Sequence, residues 1–303
     1  MKYETAGDPM TTRKWTRKAT RKVSRELKKV GIAVSRGTVG RLLTQLNYRL
    51  RVNWKKKSRG SPKERDRQFR RIFAIRQHFE SNGLPVISVD TKKKELVGNF
   101  KNAGVAWTKA PFIANDHDFR SDAIGVAWPQ GIFDTGANRG FVAVGTSHAT
   151  PSFAADALVR WWENDGASRY PGADHILVLA DAGGCNGPRN RAWKYELQRK
   201  LCDPFRLTVS VSHYPPGASK WNPIEHRLFS QISRNWAGRP LDSYATILNY
   251  IRGTETEKGL VVDATLIRRY YPTGVKVDAN AMASVNLTRG RTLPQWNYTI
   301  SPH

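Results

Sequence analysis

Acidic residues are scarce in this chain: 25 Asp+Glu stand against 50 Lys+Arg in 303 residues, a formal net charge of +25 at pH 7. That imbalance argues against cationic partners and points to a polyanion, most often nucleic acid. Cysteine is nearly absent. Cys185 and Cys202 are too few for a disulfide framework or a zinc-finger set and read as ordinary residues of a reducing compartment. No apolar run approaches the roughly 18 residues that a bilayer span requires, and the opening residues lack a signal-peptide pattern. The expectation is a soluble intracellular protein without a membrane partner. Aromatic residues are plentiful, with ten Trp, ten Tyr and eleven Phe in a chain that is 39% hydrophobic, so wholesale disorder is excluded.

The positive charge is unevenly spread. Residues 1–70 hold 22 Lys+Arg against 5 Asp+Glu, whereas the remaining 233 hold 28 against 20. A basic arm joined to a more balanced body suggests a small nucleic-acid-binding unit followed by a larger one. Within the arm, residues 12–30 read as a basic helix with Val23, Leu27 and Val30 as its apolar contacts, broken by Gly31. Ile32 and Val34 would pin the turn. Ser35 can cap a second helix through Gln45, with Val39, Leu42, Leu43 and Leu46 inward and Arg36, Thr38 and Arg41 outward. This is the helix-turn-helix pattern, which presents a second helix to DNA. Residues 48–52 alternate as a short strand or linker, and residues 55–62 form a basic, turn-rich boundary. The expected division is a DNA-binding domain over 1–60, a linking helix over 61–84 and a larger domain over 85–303.

That larger part reads as alternating strands and helices. Apolar strands are expected at 85–90, 123–128, 140–145, 173–181 and 207–213, with helices over 152–164 and 189–202. Residues 95–120 are poorly patterned. Beyond residue 240 a helix and a small hairpin would close the fold. The organising stretch is residues 213–229, where a strand crosses a Pro/Gly turn and opens a helix. Asn222 has the chemistry of an N-cap, Pro223 suits the first helical position, and Glu225 falls three residues after the cap. Ile224, Leu228, Ile232 and Trp236, with Phe229, make one apolar face, and Glu225 lies within that arc. A carboxylate there either closes a capping box onto the Asn222 N–H or serves as a metal ligand at the edge of a buried cleft.

Two of the strands end in carboxylates, Asp90 and Asp181, and the helix contributes Glu225. Carboxylates at strand ends and on an adjacent helix can converge on a pair of divalent cations suited to phosphodiester chemistry. Hard oxygen donors favour Mg²⁺ or Mn²⁺ over zinc. Asp116, His117 and Asp118 form a rival cluster, but in a weakly patterned loop that fixes no geometry. His226, turned away from Glu225 by its place in the helix, reads as structural or DNA-facing rather than as a general base. Trp221 suits either stacking on a displaced base or packing at the loop-helix junction.

The blocks Ile87-Ser-Val-Asp-Thr-Lys-Lys-Lys-Glu95, Val178-Leu-Ala-Asp-Ala-Gly-Gly-Cys-Asn186 and Tyr214-Pro-Pro-Gly-Ala-Ser-Lys-Trp-Asn-Pro-Ile-Glu-His-Arg-Leu-Phe229 occur in an element order that resembles the DDE transposases. The similarity is to the ISAzo-type group of bacterial insertion-sequence transposases and extends to about residue 290. It implies an α/β fold: an RNase H-like mixed sheet flanked by helices, preceded by a helix-turn-helix. By motif match, Asp90, Asp181 and Glu225 become the catalytic and metal-binding triad, holding two Mg²⁺ or Mn²⁺ ions for DNA cleavage and strand transfer. Double-stranded DNA, as element ends and target, becomes the partner. Contacts would come from Arg36, Thr38, Arg41, Lys92, Lys93, Lys94, Lys220, Trp221 and Arg227. A homo-oligomer on DNA and a cytoplasmic, nucleoid-associated location are the further implications. Such transposases carry more DNA-binding sequence ahead of the helix-turn-helix, so a shortened copy is the expectation. The alternative from another class is a helix-turn-helix repressor with a catalytically silent RNase H-like domain.

Overall fold

The computed structural model describes residues 5–7, 14–16, 18–50 and 62–303, in two units, Met1–Lys57 and Ser58–His303. In the first unit, strand β1 (Thr5–Gly7) pairs antiparallel with β2 (Lys14–Thr16). Helix α1 begins only at Thr20 and runs to Lys29, so the helix expected from residue 12 is shorter. Its lysines and arginines carry no period of their own, and Trp15 and Thr16 favour extended backbone. Gly31, at φ 83°, closes α1: its N–H donates to Lys28 and that of Ile32 to Leu27, a Schellman ending. Helix α2 (Arg36–Gln45) starts as expected, with Ser35 Oγ accepting from the Thr38 N–H at 3.1 Å. Val23 and Val39 are buried, but Ile32, Leu42 and Leu46 stay exposed. Two ten-residue helices offer too little surface to cover the whole apolar arc. Tyr48, Arg49 and Leu50 form no strand; Arg51, Val52 and the boundary expected at 55–62, up to residue 61, lie outside the described residues.

The second unit opens with α3 (Pro62–Ser81). Its Ile72 and Phe79 pack with Val86, Leu177, Leu179, Tyr214 and Ala218, while the buried Gln68 donates to the His213 carbonyl at 2.8 Å. The helix therefore lies directly against the sheet. That sheet comprises β3 (Val86–Thr91), β4 (Glu95–Val97), β5 (Gly125–Asp134), β6 (Arg139–Gly145), β7 (His175–Ala180), β8 (Thr208–His213), β9 (Val261–Ile267), β10 (Leu287–Arg289) and β11 (Asn297–Ile300). Their order is β10-β11-β8-β7-β3-β5-β6-β9, with β4 on β5. At the centre, β3 is parallel to β7 and antiparallel to β5; β7 and β8 are parallel, and β5 and β6 antiparallel. This is the mixed, RNase H-like arrangement.

Three further strands follow β8, where the sequence pattern predicts only a small hairpin. Residues 261–267 do not turn back on themselves but lie parallel along β6. β11 extends the other edge antiparallel to β8, and β10 pairs antiparallel with β11. Both sheet faces are covered, so the inner strands are apolar throughout rather than alternating. On β7, Ile176, Val178 and Ala180 face helices α4 (Pro151–Trp161) and α5 (Arg191–Leu197), whereas Leu177 and Leu179 face α3. α4 and α5 each run on into a π-helical turn, Trp162–Gly166 and Gln198–Cys202. Across β5 and β6, Phe133, Val142 and Val144 meet α6 (Ser230–Asn235) and α7 (Tyr244–Arg252).

Candidate active site

Register brings the first two carboxylates together. Val89 of β3 pairs with Ala180 of the parallel β7, so the next residues, Asp90 and Asp181, come side by side on strands roughly 4.8 Å apart. Side chains alternate along a strand. Asp90 therefore shares its face with Ser88, and Asp181 with Leu179, opposite the face of Val89 and Ala180. The third carboxylate arrives from the turn after β8. Glu225 opens the π-helical turn Glu225–Phe229, which leads into α6. A π-turn departs from the regular ladder and recurs at functional positions. The apolar face expected of this helix is present: Ile224, Leu228, Phe229, Ile232 and Trp236 are all buried.

Close approach of this helix to β5 requires Gly131, the partner of Asp90 across the ladder. A Cβ on Gly131 would stand 2.5 Å from the Phe229 ring and 2.9 Å from Ile224 Cδ1. Glycine at that point lets the helix start settle beside Asp90.

The electrostatics match the geometry. Burial, the Asp181 carboxylate and Glu225 raise Asp90 to about 7, opposed only by a hydrogen bond from the Thr91 N–H. Asp181 is also raised, first by burial and then by Glu225, against the lowering effect of the Asn222 amide. No three His, Cys, Asp or Glu side chains among the described residues are gathered round one ion position. The donor set is one of hard oxygens and fits Mg²⁺ or Mn²⁺. The nearby Cys185 thiol, 3.7 Å from Thr91 Oγ1, is raised by burial and by Asp90.

The capping box is not formed. The Asn222 N–H donates to the Ser219 carbonyl at 2.8 Å. The Asn222 side chain, fully buried, reaches instead to Asp181 Oδ1 at 3.0 Å and accepts from Ser88 Oγ. Ser88 Oγ in turn takes the Ile224 N–H at 3.2 Å, which is the bond an N-cap would have made. Local pattern cannot separate a cap from this tertiary bond, since both use a short polar side chain just before a helix. Ser88 is missing from the residues that the sequence singles out, although its place two residues before Asp90 puts it on the carboxylate face. Beneath Asp181, the buried His213 donates from Nδ1 to the Asp181 carbonyl at 3.0 Å and meets the Tyr298 hydroxyl through Nε2 at 3.2 Å. Burial lowers this imidazole to about 4, which keeps it neutral.

The other expected residues divide. Lys92 is turned inward: its ammonium pairs with Glu95 at 2.8 Å and lies 4.6 Å from the Trp236 ring centre, so it is not free for phosphate. Lys93 and Lys94 line an open groove of about 440 Å³ with Lys101 and Arg120. Trp221 is 45% exposed. It packs on Phe69 with the Arg65 and Lys220 cations 4.8 and 4.1 Å from its ring centre, so the packing role holds while one edge stays open. Arg227 donates to Asn138 Oδ1 at 2.9 Å. His226, exposed, meets the Lys220 carbonyl through Nε2, a turn-closing role. Asp116, His117 and Asp118 are exposed in loop and form no ligand set among the described residues. In the first unit Arg36 and Arg41 are exposed, but the Thr38 hydroxyl is engaged by Ser35 Oγ at 3.0 Å and Arg41 at 3.4 Å.

Two carboxylates thus end adjacent parallel strands, Asp90 and Asp181, and Glu225 stands on the helical turn that follows β8. The chain belongs to the Rhodopirellula transposase DDE domain family, whose model matches residues 1–302. No curated protein matches it. Among solved structures it is similar to the Mos1 transposase paired-end complex with left transposon end, at 13% identity and TM-score 0.45, covering 78% of this chain and 70% of that one. It is also similar to the Mos1 mariner paired end complex with Mn, at 11% identity and TM-score 0.45, covering 77% and 65%. For the Mos1 Strand Transfer Complex the identity is 12%, the TM-score 0.46 and the shares 77% and 64%. The chain thus spans about two thirds of those Mos1 chains. No helix among the described residues is long and apolar enough to cross a membrane.

Proposed function

We propose that this DDE transposase cleaves DNA at the ends of an insertion element and joins the freed ends to target DNA, with Asp90, Asp181 and Glu225 as its catalytic carboxylates. The observation that carries the proposal is the strand register, which ends β3 and β7 side by side at Asp90 and Asp181, with Glu225 near enough for its charge to raise both. Two Mg²⁺ or Mn²⁺ ions held by these carboxylates would supply activation of the attacking oxygen, first water and then the 3′-hydroxyl, and charge stabilisation of the leaving oxygen. The protein's own part is to hold three carboxylates at the edge of a buried sheet, where their charges are poorly screened. Ser88 and His213 fix the backbone on which two of them stand. Lys93, Lys94, Lys220 and Arg227 offer cations to phosphates, and Arg36 and Arg41 offer theirs from the first unit. A homo-oligomer on double-stranded DNA is the assembly this reading implies.

The test is cleavage and strand transfer on candidate element ends, with Mg²⁺ and with EDTA. Asp90→Asn, Asp181→Asn and Glu225→Gln should each remove activity by orders of magnitude while DNA binding persists. Glu225→Gln is the sharpest of the three: with no capping box to lose, its helix start stays intact and only the charge goes. Full activity in Glu225→Gln, or full activity in EDTA, overturns the proposal.

A further inference from the structure

One amide touches all three elements that carry the carboxylates. Asn222 Nδ2 donates to Asp181 Oδ1 at 3.0 Å at the end of β7. Asn222 Oδ1 accepts from Ser88 Oγ of β3, two residues from Asp90. Ser88 Oγ accepts the Ile224 N–H at 3.2 Å, and the Glu225 N–H donates to the Asn222 carbonyl at 3.2 Å. Asn222 and Ser88 are each fully buried, so water cannot replace a missing partner, and the donor directions are forced. A serine hydroxyl has one proton. Given to Asn222 Oδ1, it leaves a lone pair for the Ile224 N–H, and the amide must then turn its NH₂ to Asp181. The opposite orientation would set Asn222 Oδ1 against a carboxylate oxygen, two acceptors face to face.

We propose that Asn222, oriented by Ser88, is a positioning residue that holds Asp181 with one oxygen bound to the amide and the other presented toward Asp90 and Glu225. This rests on the triad reading above. A neutral amide suits this role because it fixes a carboxylate without neutralising it, as outer partners of metal-bound carboxylates do, so the charge that attracts a cation is retained. Because the same side chain is bonded to Ser88 beside Asp90 and begins the helix of Glu225, it also fixes the spacing of the three groups.

The experiment is Mn²⁺ titration of the full chain by electron paramagnetic resonance without DNA, beside cleavage over a range of Mn²⁺ concentrations. Asp181→Asn is the reference. Asn222→Ala should raise the Mn²⁺ half-saturation about 10- to 100-fold, with cleavage recovered at high Mn²⁺. Ser88→Ala should raise it less, because the amide keeps Asp181 but loses its orientation. The double variant should be no worse than Asn222→Ala alone, since the bonds act as one chain. DNA binding in EDTA should be unchanged throughout. A folded Asn222→Ala protein with half-saturation within about 2-fold of wild type overturns the proposal. So does a loss of cleavage that high Mn²⁺ does not recover, which marks a merely structural role. Should Asn222→Ala fail to fold, an unshifted half-saturation in folded Ser88→Ala overturns it equally. If Asp181→Asn itself leaves Mn²⁺ binding intact, the triad reading fails, a result separate from failure of Asn222 alone.

Discussion

Asp90 takes up a proton far more readily than a free aspartate, and the folded state bears the consequence. Its pKa is 3.8 when unperturbed and about 7 here, raised first by burial and then by Asp181, with a smaller push from Glu225. Below 3.8 the group is neutral folded or unfolded and costs nothing. Between 3.8 and about 7 the unfolded chain ionises while the folded protein holds its proton, so stability falls as pH rises, and above about 7 the full penalty applies. Asp90→Asn in EDTA should therefore be more stable than wild type at pH 8 by roughly 2 to 4 kcal/mol, the gain vanishing near pH 3. Urea denaturation at both pH values checks it, and equal stability at pH 8 would mean that burial and the neighbouring carboxylates do not raise Asp90. At this scale Asp90 and Asp181 are legible in the sequence because each ends an apolar run that could only be a buried strand. The role of Asn222 is not. The residues that need its amide, Ser88 and Asp181, are 134 and 41 positions away, beyond the reach of any local pattern.

Elements built on strong local signals match their expected positions, with ends shifted by a few residues. The strands at β3, β6, β7 and β8 and the apolar face of Ile224, Leu228 and Ile232 are all visible because burial on one or both sides leaves a periodic trace. The edge strands β9 and β10 leave little trace, since residues such as Asp263, Thr288 and Arg289 are exposed on them. The basic helix is shorter than its run of lysines and arginines suggests, because charge alone has no period. Gly131 is hidden for another reason: a strand glycine signals close approach without saying what approaches. Its neighbours, Phe229 and Ile224, make the outcome specific. Gly131→Ala should force the helix start away from β5, costing about 1–3 kcal/mol by overpacking. Cleavage should fall much further than stability, because Glu225 rides on that helix beside Asp90. Denaturation and cleavage assays on the same preparation check it; a stable variant with normal cleavage would show that the helix position does not set the site.

For the molecule as a whole, charge and chemistry are divided between two units. The candidate acidic site lies in the unit Ser58–His303, whereas the unit Met1–Lys57 holds 17 Lys+Arg against 3 Asp+Glu. On the triad reading, three carboxylates repel DNA phosphates locally, so attraction comes from the lysines and arginines around them and from the first unit. The expectation is that α2 reads base edges through Arg36 and Arg41, both exposed on its outer side. Thr38 is a different case, because its hydroxyl is bonded to the helix cap at Ser35 and to Arg41. Thr38→Ala should then act indirectly, by loosening the cap and freeing Arg41. Arg36→Ala and Arg41→Ala in the full chain should each weaken binding to element-end DNA by about 1–3 kcal/mol and leave random DNA much less affected. Repeating the titrations across salt concentrations separates the two kinds of contact: a lost phosphate contact lowers the slope of log affinity against log salt by about 1, whatever the sequence. Equal losses on specific and random DNA, with that drop in slope, would assign both arginines to the phosphate backbone and place base recognition on other residues.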